Sequence, residues 1–136
     1  MTYQRPTPIS EPDLYRQIHT YSFGAAADLA TNGGYLIYCE EEMTLEAAHF
    51  CAENDPDNPI TLTLKYVPGD GTALASGTHC ATGTIGAVGN DVEAALTVNT
   101  SNNVIPAGYW IGYIPSGAAT GLLGGCLTLR LSTLRK

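Results

Sequence analysis

The stretch Ile60-Thr-Leu-Thr-Leu-Lys-Tyr-Val67 alternates apolar and polar side chains with a period of two. Only an extended strand buried on one face turns that alternation into burial. The pattern recurs along the chain. Asp91 to Val98 places Val92, Ala94, Leu96 and Val98 on one face, and Leu127, Leu129 and Leu131 alternate with Thr128, Arg130 and Ser132. Tyr109 to Ile114 follows an Ile105-Pro-Ala-Gly108 entry, Tyr35 to Cys39 follows Asn32-Gly-Gly34, and Thr20 to Phe23 and Thr78 to Ile85 read as weaker strands. Pro68-Gly-Asp-Gly71 supplies residues that accept positive φ, predicting a tight hairpin into Thr72 to Ser76. About eight strands separated by Gly- and Thr-rich turns predict an all-β, antiparallel, eight-stranded β-sandwich.

One stretch is ambiguous. In Glu40 to Asn54, Met43, Ala47, Phe50 and Cys51 line a helix face, whereas Met43, Leu45, Ala47, His49 and Cys51 alternate as a strand. A helix would interrupt a sheet on both sides, so a strand is expected.

Ahead of the strands, residues 1–17 contain Pro6, Pro8 and Pro12, which fix φ and remove backbone donors. This segment reads as an extended arm, leaving 18–136 as the sandwich domain. Tyr3, Ile9, Leu14, Tyr15 and Ile18 are more apolar than a solvated tail requires. With Arg5, Pro6, Pro8 and Arg16, the arm residues Tyr3, Ile9, Leu14 and Tyr15 are the candidate docking surface.

Charge divides the chain the same way. Five of its six basic residues lie near the ends, against Glu11 and Asp13, while residues 17–129 carry Lys65 alone against eleven acids. A net charge of −7 repels phosphate backbones, so no nucleic-acid partner is expected. No apolar run reaches membrane-spanning length, and the opening MTYQRPTPISEP has no apolar signal core. No membrane partner and synthesis in a reducing cytoplasm are therefore expected. Charged residues make up only 14% of the sequence, which leaves much uncharged surface for an assembly to cover.

Cys39, Cys51, Cys80 and Cys126 are widely spaced, with no C-x-x-C and no His at ligand spacing. Four free, buried thiols are expected. His79-Cys80 puts its two side chains on opposite strand faces, Ser76 and Ser116 lie in no G-x-S-x-G turn, and His19 and His49 stand alone. Glu40-Glu41-Glu42 reads as a solvated turn. Glu53-Asn-Asp-Pro-Asp-Asn58 is acidic but lacks the glycine and distal Glu of a calcium loop. The glycines at 83, 86 and 89 and from 117 to 125 form no phosphate-binding motif, and Asn99-Thr-Ser101 carries no weight as a glycosylation site without a secretory signal. No catalytic residue, cofactor or metal is expected, and the chain is not read as an enzyme. Tyr109, Trp110 and Tyr113 form the aromatic cluster of the body. With alternate faces, Trp110 is expected to be buried, leaving Tyr109 and Tyr113 as a candidate subunit interface or glycan contact.

The succession of an arm, Gly-Gly-Tyr-Leu-Ile-Tyr, Met-Thr-Leu-Glu-Ala, Ile-Thr-Leu-Thr-Leu-Lys, Gly-Thr-Ala-Leu, Asp-Val-Glu-Ala-Ala-Leu-Thr-Val, Ile-Pro-Ala-Gly-Tyr-Trp-Ile-Gly and Leu-Thr-Leu-Arg-Leu resembles the small jelly-roll virion proteins of tailed bacteriophages. Head decoration, or cement, proteins and some fibre domains share that style over roughly residues 18–132, with Ile105-Pro-Ala-Gly108 its most specific part. The resemblance implies a homotrimer on the capsid exterior that binds the major capsid protein and braces neighbouring capsomers through terminal arms. The alternative is a tail-fibre or receptor-binding domain that recognises a cell-surface glycan.

Overall fold

A computed structural model describes residues 13–135. Nine strands account for most of them: β1 (Asp13–Ala25), β2 (Gly34–Cys39), β3 (Met43–Asn54), β4 (Ile60–Val67), β5 (Thr78–Ile85), β6 (Ala94–Val98), β7 (Val104–Ile105), β8 (Tyr109–Pro115) and β9 (Leu123–Arg135). Two short 3₁₀ turns, Ala26–Asp28 and Leu74–Ser76, lie between them. All strand pairings are antiparallel, in the order β1-β9-β3-β6-β5-β4-β8-β2, with the short β7 paired to β3. That order is a jelly roll. Four strands, β1-β9-β3-β6, make one sheet, β5-β4-β8-β2 make the other, and a narrow β5–β6 pairing at Ala81↔Val98 and Thr82↔Thr97 joins them.

The core fills the space between the sheets. Leu127, Leu129 and Leu131 of β9, Leu62 and Leu64 of β4, and Ile111 of β8 are fully buried and form one cluster with Phe50 of β3. Burying each such side chain stabilises the fold by roughly 1.5–3 kcal/mol. The strand faces follow from the alternation, as Ile60, Leu62, Leu64 and Tyr66 point inward.

Several local expectations are corrected. Residues 13–17 are not part of an arm, because they lie in β1, which is paired with β9 from Asp13↔Arg135 onward. Leu14, Tyr15 and Arg16 thus belong to the sheet. The chain from Thr72 to Ser76 is no strand: Asp70 Oδ1 accepts from the backbone N–H and hydroxyl of Thr72, and the Leu74–Ser76 turn follows. The sixth strand starts only at Ala94, leaving Val92 exposed.

The ambiguous stretch is a strand, but not with the expected inward face. A bulge at Glu46, between Leu45↔Leu131 and Ala47↔Arg130, inserts one extra residue. Met43 and Leu45 point in before it, and Ala48, Phe50 and Ala52 point in after it. His49 and Cys51 are therefore on the outer surface, and Cys51 is not the buried thiol that the sequence implied. Cys39 and Cys80 are fully buried and Cys126 partly so.

Candidate functional site: an open seam and an outer aromatic patch

A jelly roll of this order has two edge strands, and here β1 and β2 face each other across the gap where the barrel does not close. An open cleft of about 550 Å³ lies there. Tyr15, Gln17 and His19 of β1 line one side, Ile37 and Tyr38 of β2 the other, and Glu40 and Glu41 of the β2–β3 turn stand at its mouth with Met43 and Thr133. Two features blunt these edges. The inner face of β1 turns polar at this end, where His19 Nε2 and Gln17 Oε1 are hydrogen-bonded at 3.0 Å, and β2 carries a bulge between Tyr35 and Ile37. The Thr133 hydroxyl donates to the Glu42 carbonyl at 2.9 Å, joining the end of β9 to the β2–β3 turn.

Next to the cleft, Tyr35, Tyr38 and Trp110 form an aromatic patch on the outer face of β2 and β8. Their exposures are 54%, 43% and 39%. Tyr38 and Trp110 are direct cross-strand partners with ring centroids 5.0 Å apart, and Tyr35 meets Trp110 edge-on at 5.9 Å. The Pro68–Gly71 turn supports the indole. A Cβ at Gly69 would lie 3.0 Å from Trp110 Nε1, so the glycine lets the turn approach the ring closely. Tyr38 also lines the cleft, which makes cleft and patch one continuous surface.

This patch reverses the expected faces of β8. Ile111 and Tyr113 are buried and Tyr109 half-buried, while Trp110 faces out. The Tyr113 hydroxyl donates to the Asp28 carbonyl and accepts from the Ala30 N–H, both at 3.3 Å, and its ring packs edge-on against Phe23 at 5.3 Å. Tyr113 therefore ties the turn after β1 to the core and cannot be a subunit contact. Tyr109 packs edge-on against Tyr66 at 5.9 Å. Since β8 is apolar in both phases, its pattern did not decide which face turns inward, and Tyr35 and Tyr38 carried the signal for the outer patch unnoticed.

Of the candidate docking residues, Tyr3, Arg5, Pro6, Pro8 and Ile9 lie outside the described residues. Leu14 and Tyr15 are in β1. Arg16 is held by its own chain: its Nε donates to Glu46 Oε2 at 3.2 Å, and Arg130 Nε donates to the same oxygen at 3.1 Å. Burial would raise the Glu46 carboxyl, but a hydrogen bond with Ser132 and the charges of Arg16 and Arg130 outweigh it and hold it below the usual carboxylate range. The bulge is what places Glu46 between the two arginines.

Elsewhere the titratable groups are dispersed. His49 Nδ1 pairs with Glu93 Oε1 on the outer surface. Burial pushes the Cys39 thiol up to about 11 and the Cys80 thiol to about 12, which keeps both protonated. Cys80 donates instead to the Leu64 carbonyl at 3.4 Å. Among the described residues no three His, Cys, Asp or Glu side chains converge as metal ligands, and the acidic 53–58 loop does not gather its carboxylates. A second depression, about 400 Å³, is lined by alanines, threonines and Leu29 without a titratable group.

No family model and no curated protein matches the sequence. Solved structures of similar topology include a chain from "Bacillus endospore appendages form a novel family of disulfide-linked pili", 11% identical over 98% of this chain and 99% of that one, with a TM-score of 0.49. The cyanophage Pam1 capsid asymmetric unit contains another, 9% identical over 100% and 94%, with a TM-score of 0.49. A third, from Desmodium yellow mottle tymovirus, is 13% identical over 99% and 95%, with a TM-score of 0.38.

Proposed function

We propose that this chain is a structural virion protein of the head-decoration type, which binds the outside of a phage capsid and braces its capsomers as a homotrimer. The observation that carries the reading is the surface formed by the open seam and the Tyr35, Tyr38 and Trp110 rings. Three half-exposed aromatics in mutual contact on the edge strand β2 and its neighbour β8 serve burial against another protein, since aromatic anchors dominate interface energetics. A second copy of the chain is the occupant proposed for this surface. The capsid contact is proposed for residues 1–12, which include Tyr3, Arg5 and Ile9 and precede β1 in the chain. Their prolines reduce the entropy lost on docking in an extended form.

Two measurements test the reading. Light scattering on the intact chain is expected to give a trimer, and Trp110→Ala is expected to shift it toward monomer with little change in the unfolding midpoint, because the indole is already partly solvated. A monomeric parent chain would defeat the homotrimer. Antibody labelling of virions is expected to mark the head. Labelling confined to the tail would instead support recognition of a cell-surface glycan, for which the three exposed rings also offer apolar faces. In that case Trp110→Ala abolishes glycan binding and leaves the oligomer intact.

A further inference from the structure

Two of the four cysteines meet on the outer surface. Cys51 on β3 and Cys126 on β9 are direct cross-strand partners. Phe50, Ala52 and Leu127, which flank them, point into the core, so both thiols stand on the opposite, outward face. Cys51 is exposed and Cys126 partly so. Directly opposed residues of an antiparallel pair hold their Cα atoms about 4.5–5.5 Å apart and their Cβ atoms about 4.5–5.5 Å apart. A disulfide takes Cα separations of about 4.4–6.8 Å and Cβ separations of about 3.5–4.5 Å. Closing the bridge therefore asks for a small approach of the two Cβ atoms and no change of register.

Local slack for that approach is built into β9. Gly124 adopts a φ of +62° and Gly125 follows it, immediately before Cys126. The ladder skips from Ala52↔Gly125 to Asn54↔Leu123 at this point. Cys126 Sγ is also 4.0 Å from the Thr128 hydroxyl, two residues along the same face. The contrast with the remaining pair is chemical. Cys39 and Cys80 are sealed in the core, out of reach of any solute, whereas Cys51 and Cys126 share a solvent-facing surface.

We infer that Cys51 and Cys126 are a redox-addressable site, closed by a low-molecular-weight disulfide such as oxidised glutathione into a bridge that tightens β3 against β9. The Cys51 thiolate attacks one sulfur of oxidised glutathione, forming a mixed disulfide and expelling one glutathione thiolate. The Cys126 thiolate then attacks the Cys51 sulfur and expels the second. Two electrons pass from the cysteine pair to the reagent, and the two protons lost by the cysteines leave on the two glutathiones. The reduced chain is already folded, so the bridge is an added constraint on the chain between residues 51 and 126, a long loop whose closure restricts the unfolded ensemble.

The test treats the folded, fully reduced chain with oxidised glutathione. The intact mass is expected to fall by two hydrogens with no glutathione retained, and a non-reducing digest to link the Cys51 and Cys126 peptides. The thermal midpoint is expected to rise by about 5 °C or more and to return on reduction. Cys51→Ser and Cys126→Ser, both outside the core, should each keep one glutathione on the remaining outer cysteine and show no such rise. The inference is overturned if the parent chain retains glutathione at both positions, if disulfide-linked dimers form in place of the internal bridge, or if bridging lowers the midpoint.

Discussion

Glu46 holds together three strands by a single oxygen. It sits at the β3 bulge, and its Oε2 accepts from Arg16 on β1 and Arg130 on β9. Because the folded carboxyl titrates below its unfolded value of about 4.3, the contribution is complete above that pH and is lost as the pH falls through the folded value. Replacing Glu46 with Gln should therefore destabilise the chain at pH 7, and urea melts should show the gap between parent and variant shrinking as the pH drops below about 4. A gap that does not depend on pH would mean that the loss comes from packing and not from charge. None of this was legible in the sequence, where Arg16 read as part of a free arm. Ion pairing between residues 30 and 84 positions apart depends on sheet register, which a single sequence does not print.

At the scale of elements, the alternating Ile60–Val67 and the weaker Thr78–Ile85 were recovered to the residue, whereas the alternating Asp91–Val98 is a strand only from Ala94. Alternation failed where the local backbone departs from a plain strand. One inserted residue at Glu46 exchanged the faces of everything after it, sending Phe50 inward and His49 outward, and no composition rule marks a bulge in advance. The turn at Leu74–Ser76 is the second departure. It folds over the outside of the sheet, so that Leu74 is buried against Gly112 of β8. A Cβ at Gly112 would stand 2.5 Å from Leu74 Cδ2 and 2.6 Å from the Gly34 carbonyl oxygen. The leucine tip can yield, but the carbonyl belongs to the β2–β8 pairing and cannot. Gly112→Ala should cost about 1–3 kcal/mol in chemical denaturation. An unchanged midpoint would show that β2 shifts freely away from β8.

For the whole molecule, the sequence reported the class of fold and the number of main strands but not their order, which is fixed by contacts between distant segments. The proposed subunit surface was misplaced for the same reason: Tyr109 and Tyr113 share the phase of Ile111, and that phase turns inward. The boundary of the N-terminal segment has a direct test. Removing residues 2–12 should leave the unfolding midpoint within a few degrees of the parent, whereas removing residues 2–16 also deletes the β1 rows from Asp13↔Arg135 to Arg16↔Ser132 and the Arg16–Glu46 contact, and should lower it clearly. Equal midpoints for the two truncations would mean that the first rows of β1 contribute nothing to the fold.

The pairing of β1 with β9 also sets a schedule. A ribosome delivers residues 13–25 before the other eight described strands and residues 123–135 after all of them, so the first of these strands has its partner synthesised last. During that interval β1 lacks its own partner and is open to a β9 strand of another chain that has yet to close. Slow translation between β8 and β9 favours exchange of β1 between neighbouring copies, and fast translation there favours the self-contained barrel.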